Sequence, residues 1–552
     1  MTNTILDVMH ERAIGQPSDL AYEYVGKDLL PVQSLSYKEL WMRSNAVAHS
    51  LINRGLAGKH LLLMYPSGLD FITAFFGAML SGSIPIPTYT PTKNSKDQRL
   101  RSILESVEIP AILTVSNKSS DIVSFVEALG HRVDVCATDE LTRVGELITP
   151  TAVGSDAGFI QFTSGSTSRP KGVVVSHNNI ISNQQMIKQG FGHGDDEVVV
   201  GWLPFFHDMG LIGNIMQPLY LGCPSILMAP SSFLQRPLKW LELISKYRAT
   251  TSGGPNFSYD YCVTHVAEEQ IERLDLSSWR LAYNGAEMVR ESTLEKFADR
   301  FSRVGFNYES FFPCYGLAEG TLYVTGNKVS RSPDALARSL AVCVGQPNHG
   351  TEICVVDPKT CREAASGEVG EIWVQGDSVC AEYINEPDLT AYTFEAKLSG
   401  KSGTFLRTGD LGYLQGQDLH ITGRLKNLLV VNGKNYHGEE IEHYVSKLFS
   451  SFFPTGTSIQ QLDEGGVQTK IILVQELKRD VVKRLPEPTE LEAMTAEVRA
   501  RVLETFGVGL SEVSLAKQSR LPRTSSGKMD RGSIVALLQQ QQLETLYTKT
   551  YY

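Results

Sequence analysis

The sequence predicts an α/β protein with more than one domain, and three observations carry that reading. The chain has 552 residues, more than one ordinary hydrophobic core organises. Short apolar, strand-like runs alternate with helical ones along most of its length, the pattern of layered α/β structure rather than of a sandwich. Its composition, 42% hydrophobic and 20% charged, is that of a folded globular protein, so neither a disordered nor a fibrous chain competes.

The elements follow in order. Residues 60–65 read as a short buried strand and 71–80 as a helix. That helical run is the most apolar stretch, but Ser81, Gly82 and Pro85 interrupt it before it could span a bilayer, so a buried helix is expected. Further strands are predicted at 111–115, 198–203, 225–228 and 280–283, with helices at 238–247 and 291–303 between them. Around 367–376 the texture becomes more purely β, and Glu371, Ile372, Trp373 and Val374 read as a strand of a small sheet or barrel. Residues 470–477 are strand-like again. Leu491, Met494, Val498, Val502 and Phe506 recur on one helical face, so the C-terminal part reads as a compact α+β unit. The glutamine tract 539–542 falls in a predicted terminal helix. There are no internal repeats and no low-complexity linkers.

Charge and special residues exclude several function classes. A net charge of −10 with no Lys/Arg run argues against a dedicated nucleic-acid binder. Residues 1–10 carry Asp7 and lack the basic-then-apolar pattern of a signal peptide, and no transmembrane segment is expected. The eight cysteines show no CxxC spacing and several lie in apolar runs, where a thiol behaves as a small hydrophobe. The twelve histidines form no paired-ligand pattern. Neither structural zinc nor a disulfide framework is expected, and a reduced, cytoplasmic protein is.

The most informative stretch is Gln161-Phe162-Thr163-Ser164-Gly165-Ser166-Thr167-Ser168-Arg169-Pro170-Lys171-Gly172. The strand-like Gly158-Phe159-Ile160 precedes it and Val173-Val174-Val175 follows. A loop between strands, rich in hydroxyls and free backbone N–H groups, suits phosphate oxygens. It is not a Walker A loop, because Pro170 stands where the second glycine is required. By itself it is equally an ordinary surface turn. Four later segments alter that balance: Tyr315-Gly316-Leu317-Ala318-Glu319, Arg407-Thr408-Gly409-Asp410, Gly423-Arg424-Leu425-Lys426 and Pro522-Arg523-Thr524-Ser525-Ser526-Gly527-Lys528. With these five motifs in order, the chain resembles the adenylate-forming superfamily of acyl-CoA synthetases, luciferases and peptide-synthetase adenylation domains over nearly its whole length.

The resemblance implies a large N-terminal domain of layered α/β subdomains plus a small β subdomain (1–425), a hinge at 426–428, and a small mobile α+β domain (429–552). Asn427 stands where many members carry Asp. It also implies attack of a carboxylate on the α-phosphate of ATP, giving acyl-adenylate and pyrophosphate. Two anions must approach, so catalysis is mostly charge neutralisation and in-line positioning. Thr163, Ser164, Gly165, Ser166, Thr167 and Lys171 would hold the β- and γ-phosphates, and Glu319 would hold Mg²⁺ beside them. Asn284, Gly285, Ala286 and Glu287, with Tyr315, Gly316, Leu317 and Ala318, match the adenine pocket. Asp410 would accept hydrogen bonds from the ribose hydroxyls, and Arg424 would contact ribose or phosphate. Lys528 would bridge the reacting carboxylate and α-phosphate, a task suited to a compact ammonium on a long stem. In Trp202-Leu203-Pro204-Phe205-Phe206-His207-Asp208-Met209-Gly210-Leu211, His207 would form a wall beside the reacting carboxylate. Away from this context, each of these residues has a plain structural reading as turn, helix face or solvated charge.

Finer wording resembles the fatty acyl-AMP ligases. The relevant segments are Ser252-Gly253-Gly254-Pro255-Asn256-Phe257-Ser258-Tyr259-Asp260, Phe312-Pro313-Cys314 leading into Tyr315, and Gly433-Lys434-Asn435-Tyr436-His437. Asp260 alone offers a charge for an amino-acid amine, so an amino-acid substrate is not expected. Residues 395–405 contain extra sequence, 396–403, that resembles the insertion by which acyl-AMP ligases restrain domain rotation; a tolerated surface insertion is the alternative. No carrier domain is recognised after Lys528. The implied partners are a fatty acid and the phosphopantetheine thiol of a separate acyl carrier protein, or of a polyketide or peptide synthase carrier domain. A CoA-using acyl-CoA synthetase and an inactive nucleotide- or lipid-binding scaffold are the competing readings.

Overall fold

A computed structural model describes residues 4–91, 98–141, 145–163, 170–329, 342–348, 350–431, 434–464, 468–484, 486–523 and 529–551. The chain divides into two compact units. The first comprises Met1–Thr163, Pro170–Thr408 and Gly412–Ile421, and the second includes Gly409–Leu411 and Thr422–Tyr552.

The first unit is α/β, as the alternation predicts. Its largest sheet has nine strands, in the order Gln346–Pro347, Tyr323–Gly326, Phe311–Gly316, Leu281–Asn284, Thr251–Gly254, Val199–Gly201, Ser225–Met228, Leu20–Val25 and Pro31–Ser36. From Phe311–Gly316 to Leu20–Val25 the pairing is parallel, and only the margins are antiparallel. A second, wholly parallel sheet joins Ile84–Thr88, His60–Met64, Ala111–Thr114 and Asp134–Ala137. The helix Leu69–Leu80 is buried at every position but Asp70, which confirms a core helix. Each fully buried Phe along it contributes roughly 1.5–3 kcal/mol of burial free energy.

Two smaller sheets complete this unit. Five strands, in the order Arg362–Glu363, Thr351–Asp357, Gly370–Gly376, Leu406–Gln415 and Asp418–Arg424, form the predicted β region, although Gly409–Leu411 and residues 422–424 of the last two belong to the second unit. Glu382–Tyr383, Lys171–Ser176 and Ala157–Thr163 form a three-stranded antiparallel sheet. The strand expected to end near Ile160 runs on to Thr163, because residues 159–163 keep pairing with 171–175.

The second unit is α+β. A sheet in the order Phe452–Glu464, Gln468–Leu477, Glu512–Lys517 and Tyr547–Thr550 packs against the helix Pro488–Phe506, on which Leu491, Met494, Val498 and Val502 are buried. The terminal helix is Arg531–Gln539, so most of the glutamine tract follows it rather than extending it. The edge strand Tyr547–Thr550 has no sequence signal beyond a β-branched alternation. Among the described residues no helix is long and apolar enough to cross a membrane, and all eight cysteines are free thiols.

Candidate active site

Four of the motifs lie at the carboxyl ends of four neighbouring parallel strands. Trp202 to His207 follow Val199–Gly201, and Pro255 to Asp260 follow Thr251–Gly254. Gly285, Ala286 and Glu287 follow Leu281–Asn284, and Leu317 to Glu319 follow Phe311–Gly316. Open parallel sheets place ligands outside these ends, since the loops there converge. Segments scattered over more than a hundred residues therefore share one edge.

The details are tight. Asn284 is fully buried; its Nδ2 donates to Asn256 Oδ1 at 3.3 Å, while its Oδ1 is a buried acceptor with no partner among the described residues. Glu287 accepts from the backbone N–H of Phe257 at 2.6 Å, at the start of the helix Asn256–His265, so it ties the predicted adenine segment to the Ser252–Asp260 segment. A side chain at Gly316 would place its Cβ 1.8 Å from the Leu322 carbonyl oxygen, so only glycine allows Tyr315 to turn into the Glu319 segment. Tyr315 and Ala318 are buried beside it. Asp260 accepts from Thr293 Oγ1 at 2.9 Å, a structural bond within this layer.

His207 precedes a short helical turn: its Nδ1 lies 2.6 Å from Asp208 Oδ1, which also accepts from the Met209 N–H at 2.6 Å. The chain then enters a π-helix at Leu211–Met216, a form that concentrates at functional sites. Beside it, Trp202 stacks on Phe233 at 4.0 Å between centroids and meets Phe257 edge-on, an apolar aromatic wall.

The predicted phosphate loop starts and ends on a paired stem. Thr163 pairs with Lys171, and residues 164–169, with Ser164, Gly165, Ser166 and Thr167, lie outside the described residues. Sequence reasoning missed the residue that joins this stem to Glu319. The Tyr383 phenol donates to Glu319 Oε1 at 2.7 Å, and the Lys171 ammonium sits 5.1 Å over the same ring. Burial and the Glu319 carboxylate raise the Tyr383 pKa above its ordinary value, so the phenol keeps its proton and is the donor. No local spacing marks Tyr383; only its pairing with Val173, more than two hundred residues away, brings it there.

One helix holds this cluster together. His177–Phe191 starts on a Ser176–Asn179 capping box directly after the Lys171 strand. Asn179 Nδ2 donates to the carbonyls of Asp377 and Val379 at 2.8 and 3.0 Å. One turn on, Asn183 Nδ2 donates to the carbonyls of Gly320 and Tyr323 at 3.2 and 2.8 Å. Spaced i, i+4, the two amides share a face, and they fix the backbone leading to Tyr383 and the turn carrying Glu319.

In the Arg407-Thr408-Gly409-Asp410 motif, Arg407 donates through Nε and Nη2 to the buried Glu371 at 3.1 and 2.8 Å, and Thr408 Oγ1 donates to the Ile372 carbonyl at 2.7 Å. Within the second unit, Gly409 has φ +70°, which glycine adopts without strain. Asp410 is 6% exposed and pairs with Arg424 Nε at 2.8 Å.

Lys528 and its neighbours 524–527 lie outside the described residues. Their flanks do not: Arg523 and Met529 form an antiparallel pair. The fully buried Glu476 accepts from the N–H groups of Arg520 and Leu521 at 2.7 and 2.8 Å, and from Arg523 at 3.2 Å. The expected hinge residues run through the short turn Leu425–Asn427 into the strand Leu428–Val431, and Asn427 Nδ2 donates to Glu439 at 2.6 Å.

The insertion 396–403 is also closed by an antiparallel pair, Ala396 with Phe405. Leu398 and Phe405 are buried with Cys354, Val356 and Trp373 on the five-stranded sheet, so these contacts fall within the first unit.

Comparison with known proteins agrees with this geometry. Residues 9–384 match the family described as AMP-binding enzyme. The chain is 35% identical to the medium-chain-fatty-acid–acyl-carrier-protein ligase JamA of Moorena producens, covering 96% of this chain and 94% of that protein. It is 34% identical to the ligase of the same description, TtuA, of Teredinibacter turnerae, over 95% and 91% of the two chains. Among solved structures, a fatty acyl-adenylate ligase from L. pneumophila in complex with acyl adenylate and pyrophosphate superposes with a TM-score of 0.73 at 33% identity, over 99% and 98% of the chains.

Proposed function

The chain belongs to the AMP-binding enzyme family, and on that premise we propose that it is an ATP-dependent fatty acyl-AMP ligase that serves an acyl carrier protein. A carboxylate oxygen of the fatty acid attacks the α-phosphorus of ATP and pyrophosphate leaves. The carrier's phosphopantetheine thiol then attacks the acyl carbonyl carbon, and AMP leaves as the thioester forms. The observation that carries this reading is the convergence of the adenine, acyl and Glu319 segments at four adjacent strand ends, in a chain with ligases of that description among its relatives.

The residues divide the work. Lys171 and the 164–169 loop neutralise the outer phosphates, and the buried acceptor Asn284 Oδ1 suits a donor on the adenine ring. Asp410 and Arg424 take the ribose, and the aromatic wall around Trp202 receives the alkyl chain. His207 borders the reacting carboxylate. Lys528, on the unit beyond the 426–428 hinge, supplies positive charge to both reacting anions. A carboxylate with one oxygen already fixed, as in Glu319, fits Mg²⁺, which binds through one or two carboxylates plus substrate phosphates. When bound there, Mg²⁺ withdraws charge from the phosphate oxygens. A reduced cytoplasmic setting accords with eight free thiols.

The test supplies ATP, Mg²⁺ and fatty acids of graded length, traps acyl-adenylate with hydroxylamine, and then offers either a phosphopantetheinylated carrier protein or free CoA. Adenylate and carrier thioester are expected, with little acyl-CoA. Rapid acyl-CoA synthesis would overturn the acyl-AMP ligase assignment.

A further inference from the structure

Resting on that functional reading, we infer that Tyr383 is a positioning residue that links the phosphate-binding lysine to the metal-binding glutamate. Three observations place it. Its phenol donates to Glu319 Oε1 at 2.7 Å, fixing one oxygen of the carboxylate and with it the plane of the other. Its ring lies under the Lys171 ammonium at 5.1 Å, within the range of a cation–π contact. Its backbone is held on both sides: Ile384 N–H donates to the Gly172 carbonyl at 2.8 Å, and Cys380 N–H donates to the Glu319 carbonyl at 2.9 Å.

The side chain is itself locked. Tyr383 is 4% exposed, packs on Phe394 at 5.0 Å between centroids, and its N–H donates to Thr390 Oγ1 at 3.0 Å. The ring and the hydroxyl therefore have separable tasks. The hydroxyl orients the carboxylate that meets a divalent cation, and the ring face holds the Lys171 ammonium that meets phosphate.

The experiment measures binding of a fluorescent ATP analogue with EDTA and with rising Mg²⁺, for wild type, Tyr383→Phe, Tyr383→Leu and Glu319→Gln. Tyr383→Phe keeps the ring. It is expected to leave metal-free affinity unchanged and to remove about tenfold of the metal-linked gain, the effect of losing a hydrogen bond to a charged group. Tyr383→Leu should lose that gain and also weaken metal-free binding, because Lys171 loses its platform. Glu319→Gln should reproduce the Tyr383→Phe metal defect, and adding Tyr383→Phe to it should change little more. Equal loss with and without metal in Tyr383→Phe would mark a merely structural residue and overturn the proposal. So would a metal-linked gain that is undiminished in Glu319→Gln or in Tyr383→Phe. If wild type forms adenylate and binds nucleotide metal-dependently, those results fail Tyr383 alone. If wild type does neither, the functional reading fails with it.

Discussion

Two serine- and glycine-rich loops lie beside the two lysines proposed for this chemistry, and each is closed by an antiparallel pair, yet the stems differ. The 164–169 loop stands on strands that pair from Ala157 with Ser176 to Thr163 with Lys171, and a third strand flanks them. Its lysine is part of the stem and has a built partner in Tyr383. The 524–528 loop stands on the single pair Arg523 with Met529, and what secures that stem is the buried Glu476 carboxylate. In the first case the sheet itself positions the cation. In the second a buried carboxylate ties down the flank that leads into the loop.

The largest effect is expected from Lys528→Ala. On the proposed mechanism it removes the charge that bridges the two reacting anions and leaves the residues proposed to bind nucleotide unchanged. Pyrophosphate release should fall by roughly a hundred- to a thousandfold or more, the scale of losing one preorganised electrostatic donor, while equilibrium ATP binding changes little. Near-normal turnover would remove Lys528 from the mechanism.

Next comes the anchor of that stem. Glu476→Ala leaves the Arg520 and Leu521 N–H groups and the Arg523 guanidinium without their buried acceptor. Breaking a buried charge pair from one side costs about 3–5 kcal/mol. Thermal unfolding should reveal an earlier transition, and adenylation should fall alongside it. A variant with unchanged melting would show that the single strand pair suffices to hold the stem.

How far the sequence foretold this site depends on the range of the interactions involved. The strand ends bearing Trp202 and Asn284 were legible because 198–203 and 280–283 are short apolar runs that read as strands, and parallel sheets put such ends together, whereas Glu319 was legible only through its motif. Tyr383 and Glu476 were not, since each gains its role from pairing with residues far away in sequence and neither lies in a recognisable motif. The π-helix at Leu211–Met216 escaped for another reason: its apolar pattern reads as ordinary helix, and the change of turn is a tertiary outcome. Residues 164–169 and 524–528 were legible as motifs, but their chemistry rests on the motifs and on the stems that bear them.

A smaller effect is expected at Asp410→Asn. The amide still meets Arg424 and ribose but loses its charge, so the apparent ATP requirement should rise about tenfold, the scale of a hydrogen bond to a charged group. Discrimination against 2′- and 3′-deoxy-ATP should fall with it. Unchanged discrimination would take Asp410 out of the ribose site and leave its pairing with Arg424 as purely structural.

The insertion supplies the control, because 397–404 is a third loop closed by an antiparallel pair but carries no cation assigned to the reaction. Its interior is packed instead: Leu398 is buried on the five-stranded sheet, and Lys401 pairs with Glu352 and, at 4.0 Å, with Glu363. Deleting 396–403 uncovers that small apolar cluster, a cost of roughly 2–5 kcal/mol if it resembles loss of a buried leucine side chain, so melting must be followed alongside activity. Adenylate formation should stay within a few-fold of wild type, since no residue assigned to ATP or fatty acid lies in the deletion. Acyl-CoA formation is the informative readout. If the insertion restrains rotation of the second unit, free CoA should now accept the acyl group, and a restraint of ~3 kcal/mol would correspond to about a hundredfold. If acyl-CoA stays at the wild-type level, CoA is excluded where it would bind rather than by the insertion. The loop then serves the sheet it packs on, and the contrast between stems that carry chemistry and a stem that carries only packing becomes complete.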